Sequence, residues 1–179
     1  MGIKAVVIHA TAGGSSEGAV SVMRDGHASF HWLVPDEDEK AHGKNVWACA
    51  PEARAAWHVQ NSKFSPDING GALRVNHWSL GIEVVNNETA GDPFSDWQVQ
   101  ATAQIVRHCW AKYPNLRHIV SHAKLDPARR VDPGANFPWD KFKQLVLEGG
   151  ADGIPRSVAA TRPAQTITRE FGQRGCCYD

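Results

Sequence analysis

A chain of 179 residues with 19 basic and 19 acidic side chains is long enough for one domain with its own core and carries no net formal charge. That balance argues against a general electrostatic grip on nucleic acid or an anionic membrane, and no apolar run approaches the roughly 18–20 residues of a membrane span. Nine histidines and seven tryptophans point instead to a site chemistry and to apolar surfaces with a polar edge, such as clefts for sugars or peptides.

Lys4 to Ala10 is a Val/Ile-rich run of the kind that forms a buried central strand. Ser16 is placed to cap a short helix from Glu17 to Met23, ended by Gly26. Ser29 to Val34 alternates as a second strand, and Lys44 to Cys49 reads as its hairpin partner beyond an acidic turn. A short segment, Ala55 to Val59, precedes a polar loop from Gln60 to Asn76, and long loops of this kind tend to be functional. Ser79 to Asn86 is another strand, with Glu83 inside an otherwise apolar run. Asp96 to Tyr113 has apolar residues largely at helical spacing and is stopped by Pro114, which predicts a long amphipathic helix. His118 to Ser121 is a strand feeding a loop through Gly134, and Pro138 to Glu148 is a closing helix.

Strands alternating with helices predict an α/β fold with a single mixed β-sheet flanked by helices. The composition turns to Gly, Pro, Ser, Thr and Arg near residue 149. Residues 1–148 therefore read as the catalytic-looking domain, and 149–179 as a tail of unassigned role in which Thr166 to Phe171 is a candidate turn of helix. Cys49 and Cys109 sit in apolar runs and read as buried thiols. Cys176-Cys177 are adjacent, and the absence of any C-x-x-C spacing argues against a cysteine metal site.

The segment from Ser121 to Gly134 holds His122 and Asp132 ten positions apart, joined by a stretch that reads as too polar and proline-rich for a helix. With His9 at the end of the first strand they make a candidate set of metal ligands at the strand ends of an α/β sheet. Spacing alone leaves open that His9 is a satisfied core histidine and His122 a loop histidine, since no short motif such as H-E-x-x-H is present. Glu83 reads either as a proton carrier beside that site or as a strand-edge residue facing solvent. Arg130, two positions before Asp132, reads either as a contact for a carbonyl oxygen turning anionic or as a surface arginine paired with Asp126 or Asp140. Trp57-His58 is a candidate wall and polar contact for substrate, with a core tryptophan as the plainer alternative.

Ile8-His9-Ala10-Thr11, Ser29-Phe30-His31-Trp32-Leu33-Val34, Ala56-Trp57-His58, Asn76 through Gly81-Ile82-Glu83, and Ser121-His122-Ala123 through Arg130-Val131-Asp132-Pro133-Gly134 and Phe137-Pro138-Trp139 occur in that order. Together they resemble the zinc-dependent N-acetylmuramoyl-L-alanine amidases of the amidase-2 family, over about residues 4–147. That family takes in phage endolysins, muropeptide-recycling enzymes and peptidoglycan recognition proteins. The resemblance implies Zn2+ held by His9, His122 and Asp132, catalysis by Glu83 and Arg130, and substrate contacts from Trp57, His58 and Asn76. It departs from the family at Arg130, where a lysine is usual, and a planar guanidinium is not a compact ammonium.

The implied reaction is hydrolysis of the amide between the lactyl group of N-acetylmuramic acid and L-alanine, in peptidoglycan or a muropeptide. The expected role is wall lysis by an endolysin-type enzyme, with a cytoplasmic anhydro-muropeptide recycling amidase or a secreted antibacterial amidase as alternatives. A binding-only peptidoglycan module fits less well, because the third ligand, Asp132, is present. The expected protein is a monomer made in the cytoplasm without a signal peptide, reaching the wall by holin-type release or injection, with no nucleic acid partner and no membrane insertion.

Overall fold

The computed structural model describes residues 2–40 and 44–149. The tail, its candidate turn of helix and Cys176-Cys177 lie outside the described residues. Five strands, β1 (Ala5–Ala10), β2 (Trp32–Val34), β3 (Trp47–Ala48), β4 (Ser79–Val84) and β5 (His118–Ser121), form one sheet in the order β3-β2-β4-β1-β5. β1 pairs in parallel with both β4 and β5, β2 pairs in parallel with β4, and only β3 runs antiparallel to its neighbour. The sheet is therefore mixed, with β1 buried along its whole length, as expected of a strand covered on both faces.

Among the described residues four helices accompany it: α1 (Ser16–Arg24), α2 (Asp96–Lys112), α3 (His122–Leu125) and α4 (Trp139–Glu148). Successive side chains of a strand point to opposite faces, so β1 divides its residues between two cores. Val6 and Ile8, with Leu80, Ile82 and Ile119 beside them, pack against Val99, Val106, Trp110, Phe142 and Val146 of α2 and α4. Ala5 and Val7 pack on the other side against Val59, Ile68, Val75 and Trp78. The span from Gln60 to Asn76 is thus no freely solvated loop. It contains 3-10 turns at Asn69–Gly71 and Val75–His77, and its apolar residues cover the second face of the sheet.

Several boundaries shift for local reasons. Ser15 rather than Ser16 caps α1, accepting a hydrogen bond from the Gly18 N–H. The strand expected from Ser29 shortens to Trp32–Val34, because Ser29 N donates to Trp57 O, outside the sheet ladder. The segment after Ser121 does make one turn of helix. The Ser121 hydroxyl caps it at Lys124 N, and Pro127 stops it only after Leu125. No helix among the described residues is long and apolar enough to cross a membrane.

α2 is tied to the sheet by one buried side chain. Ser95 and Gln98 form a reciprocal capping box, and Gln98 Nε2 donates to Pro35 O at 3.2 Å and Val85 O at 2.7 Å, at the ends of β2 and β4. Replacing it strands two buried carbonyls and the Ser95 N–H. Gln98→Ala is expected to lower the unfolding free energy by about 2 kcal/mol or more, read as a shifted urea midpoint at unchanged slope. An unmoved midpoint would show that α2 is docked without it.

Candidate metal centre

The register of the parallel strands assembles the site. His9 lies opposite Glu83 on β4, and Ser121 at the end of β5 lies opposite Ile8, which puts His122 one step further along the same row. Neighbours in register share a face. His9 and Glu83 therefore stand side by side on the face away from α2 and α4, at the C-terminal edge of the sheet. β4 is the middle strand of the five, so the strand-edge reading of Glu83 does not hold.

Asp132 reaches the row through the loop after α3. Ala123 N donates to Asp132 O at 3.1 Å, and the backbone N–H groups of Arg129 and Arg130 both donate to Asp126 O. These bonds fold the segment back on itself, and the Asp132–Pro133 peptide in it is cis. Asp126, itself buried, lies 2.9 Å from Lys63 Nζ and 3.4 Å from Arg129 Nη1, which fastens the loop to the segment covering the sheet. It is Arg129, not Arg130, whose guanidinium meets Asp126.

Three buried atoms converge: His9 Nδ1 and His122 Nδ1 at 3.0 Å, His9 Nδ1 and Asp132 Oδ2 at 3.1 Å, and His122 Nδ1 and Asp132 Oδ2 at 3.0 Å. A tetrahedral ion with ligand bonds near 2.0–2.1 Å separates its donors by about 3.3 Å. The observed triangle is close to one face of such a tetrahedron, and it leaves the fourth direction to another ligand. Two imidazole nitrogens and one carboxylate oxygen are a donor set suited to a divalent ion of intermediate softness.

The charge states agree with that use. Burial lowers the pKa of His9 to about 4, despite the opposing pull of Asp132, so its imidazole is neutral near pH 7. Burial alone would raise Asp132, but the His122 and His9 rings against it outweigh burial and hold the carboxyl well below the usual range. A neutral imidazole and an ionised carboxylate are the forms that bind metal.

Glu83 goes the other way. Burial, reinforced by the negative charge of Asp132, raises its pKa to about 8, against the lowering effect of Arg130. Its Oε2 is buried without a protein hydrogen-bond partner. Glu88, unmarked by any motif in the chain, is a second such acid. It sits at φ 58° with a buried, unbonded Oε1, and burial and Asp132 push its carboxyl up. Arg130 is exposed, and its charge is felt at His9, Glu83 and Glu88.

The three expected substrate contacts part company. Trp57 is 60% exposed and remains available as a wall. His58 is buried behind His9, with Nδ1 3.0 Å from His9 Nε2 and Nε2 3.2 Å from Ser79 Oγ, so both ring nitrogens are engaged inside the protein. Asn76 is buried too. Its Oδ1 accepts from His58 N and Val59 N, and its Nδ2 donates to Val59 O. His58 and Asn76 therefore support His9 and do not line a cleft. Sequence reasoning passed over Ser79 and Gly81, although the alternation Ser79-Gly81-Glu83 puts all three on the site face of β4. Cys49 is only partly buried and Cys109 fully so; burial pushes both thiols up, to about 11 and about 12, and leaves them unreactive.

A family model described as N-acetylmuramoyl-L-alanine amidase matches residues 1–135. The chain is 34% identical over 159 residues to the N-acetylmuramoyl-L-alanine amidase AmiD of Escherichia coli, a match covering 84% of this chain and 55% of that protein. It is 33% identical over 119 residues to the 1,6-anhydro-N-acetylmuramyl-L-alanine amidase AmpD of Salmonella typhimurium, covering 66% and 57%. It thus spans little more than half the length of these relatives. Among solved structures, AmiD of E. coli in complex with the substrate anhydro-N-acetylmuramic acid-L-Ala-D-gamma-Glu-L-Lys superposes with a TM-score of 0.68 at 28% identity, over 99% of this chain and 73% of that one. The Ph2119 endolysin of a Thermus scotoductus bacteriophage gives 0.59 at 19% identity, over 84% and 86%, and shares the fold.

The half-buried acid Glu83 has a measurable signature. Folded Glu83 has a pKa of about 8, against an ordinary value of 4.5. Between those limits the folded chain keeps a proton that the unfolded chain has released, so stability falls as pH rises through the window. Glu83→Gln removes that dependence. Its metal-free thermal midpoint should exceed the wild type's by more at pH 8 than at pH 5, and an equal difference at both would contradict a buried, protonated acid.

Proposed function

The chain belongs to the N-acetylmuramoyl-L-alanine amidase family, and from that premise we propose that it hydrolyses the amide between the lactyl group of N-acetylmuramic acid and L-alanine, with soluble anhydro-muropeptides as substrates. The observation that carries the reading is the triangle of His9 Nδ1, His122 Nδ1 and Asp132 Oδ2 beside an in-register acid, Glu83, whose Oε2 is buried. These three side chains would hold Zn2+, which when bound lowers the pKa of a water and polarises the scissile carbonyl.

Glu83 is the proton carrier in this scheme. In its ionised form this carboxyl, with one oxygen free of protein partners, would accept the proton of the attacking water and return it to the departing amine. Arg130 supplies fixed positive charge toward the same place, where the carbonyl oxygen becomes anionic. Its exposure suits a group that meets substrate at the rim. Trp57, exposed and next to His58 in the chain, offers an apolar face for the sugar or the peptide.

The substrate form is argued from the relatives. The two curated relatives above are amidases of the AmiD and AmpD type, the second named for the 1,6-anhydro sugar, and the AmiD structure holds an anhydro-muropeptide. The endolysin likeness carries the fold only. A recycling-type amidase is accordingly favoured over the lytic enzyme expected from the sequence.

Mass analysis of products, from a soluble anhydro-muropeptide and from intact peptidoglycan in parallel, tests both parts. The expected result is free stem peptide and anhydro-N-acetylmuramic acid, released faster from the soluble substrate. Faster release from intact wall would overturn the substrate preference, and an uncut lactyl–alanine amide in both would overturn the activity. Glu83→Gln should keep stoichiometric zinc and lose about 100-fold or more of turnover; near-normal turnover would remove Glu83 from the chemistry.

A further inference from the structure

The metal reading leaves one question of chemistry at His9. A neutral imidazole binds metal through the nitrogen that lacks a proton, so the ring has to be held in one of its two tautomers. Hydrogen bonds that run inward from His9 decide which.

The chain of bonds starts at Ser79. Its hydroxyl donates to Val75 O at 2.8 Å, which uses its one proton, so toward His58 Nε2, 3.2 Å away, Ser79 Oγ accepts. His58 therefore carries its proton on Nε2 and presents a bare lone pair at Nδ1. That lone pair faces His9 Nε2 at 3.0 Å. His9 Nε2 is the donor in that bond, and His9 Nδ1, in the triangle with His122 and Asp132, is left unprotonated.

The seat of His58 is built as closely as its hydrogen bonds. Gly81 lies beneath the ring, and a Cβ there would come within 2.7 Å of His58 Cγ, so a side chain at this position would displace the ring. Asn76 Oδ1 clamps the backbone of His58 and Val59. On the far side His31 stands edge-on to His58 with ring centroids 5.9 Å apart. Its Nε2 donates to Arg54 O and its Nδ1 accepts from Gly81 N, each at 3.0 Å, which pins the strand under His58.

We propose that Ser79 and His58 form a relay that fixes His9 in the tautomer and orientation in which Nδ1 binds the metal. His58 is then a positioning residue acting through His9. The inference rests on the zinc reading above and adds to it two residues outside the ligand set. Such outer partners typically tune metal affinity about 10–100-fold.

The test is zinc affinity of the full chain, by competition with a chromophoric chelator, in the wild type and in Ser79→Ala, His58→Asn and His58→Leu. Leucine cannot accept from His9 Nε2, whereas the asparagine amide oxygen stands near the lost Nδ1. His58→Leu should weaken zinc binding about 10–100-fold, His58→Asn should recover most of it, and Ser79→Ala should show a smaller loss. Long-range proton–nitrogen NMR of the zinc-loaded wild type adds a readout that needs no variant: the ring proton should sit on Nε2 of both His9 and His58. A folded His58→Leu within twofold of wild type, or a proton on His58 Nδ1, overturns the relay while leaving the metal site standing. A wild type that takes up no zinc overturns the metal reading, and the relay with it.

Discussion

The pairing of β1 with β4 sets His9 opposite Glu83, and the rest of the site depends on that register. A slip of one residue would turn His9 into the core under α2 and bring Ile8 to the site face. The register is held by apolar residues on both faces, Val6 and Ile8 against the helices, Ala5 and Val7 against the covering segment. The same strand pairs with β5, so a single buried strand carries His9 and aligns the acid on one side and His122 on the other. Packing energy spent on the sheet is thereby also what places the chemistry.

Burying so much imidazole is costly unless each nitrogen is satisfied. His9, His31, His58 and His122 are all buried, and each of the first three has both ring nitrogens facing a hydrogen-bonding partner. The covering segment from Ala56 to Trp78 is therefore more than a lid on an apolar core. It supplies His58 and Asn76, and with β4 it makes a polar layer behind His9 that holds its ring in place. Asp132 and Arg130 supply the charge on the outer side of the row, and burial beside Asp132 raises the pKa of both acids there, Glu83 and Glu88.

Much of this was legible in the chain because it depends on local pattern. Val/Ile runs marked β1 and β5, the apolar spacing and Pro114 marked α2, and a lone carboxylate in an apolar strand marked Glu83. What the sequence left obscure depends on contacts between distant segments. His58 sits next to an aromatic residue, which reads as a cleft wall, and only the fold shows that its ring turns inward onto Gly81 and His9. Asn76 was equally ambiguous, since an amide that clamps a backbone and one that binds substrate look alike in a string of residues. The turn of helix at His122 was hidden by Pro127, which forbids helix at its own position and leaves the four residues before Asp126 free to coil. Arg130 and Arg129 are adjacent and alike, and tertiary geometry alone assigns the Asp126 contact to Arg129.

We propose that His9, His122 and Asp132 form one face of a metal site. Crystals of the zinc-loaded chain, measured on both sides of the zinc absorption edge, test it most directly. One strong anomalous peak is expected, about 2.0–2.2 Å from His9 Nδ1, His122 Nδ1 and Asp132 Oδ2 alike. No peak at that point, or zinc bound through other atoms, would contradict it.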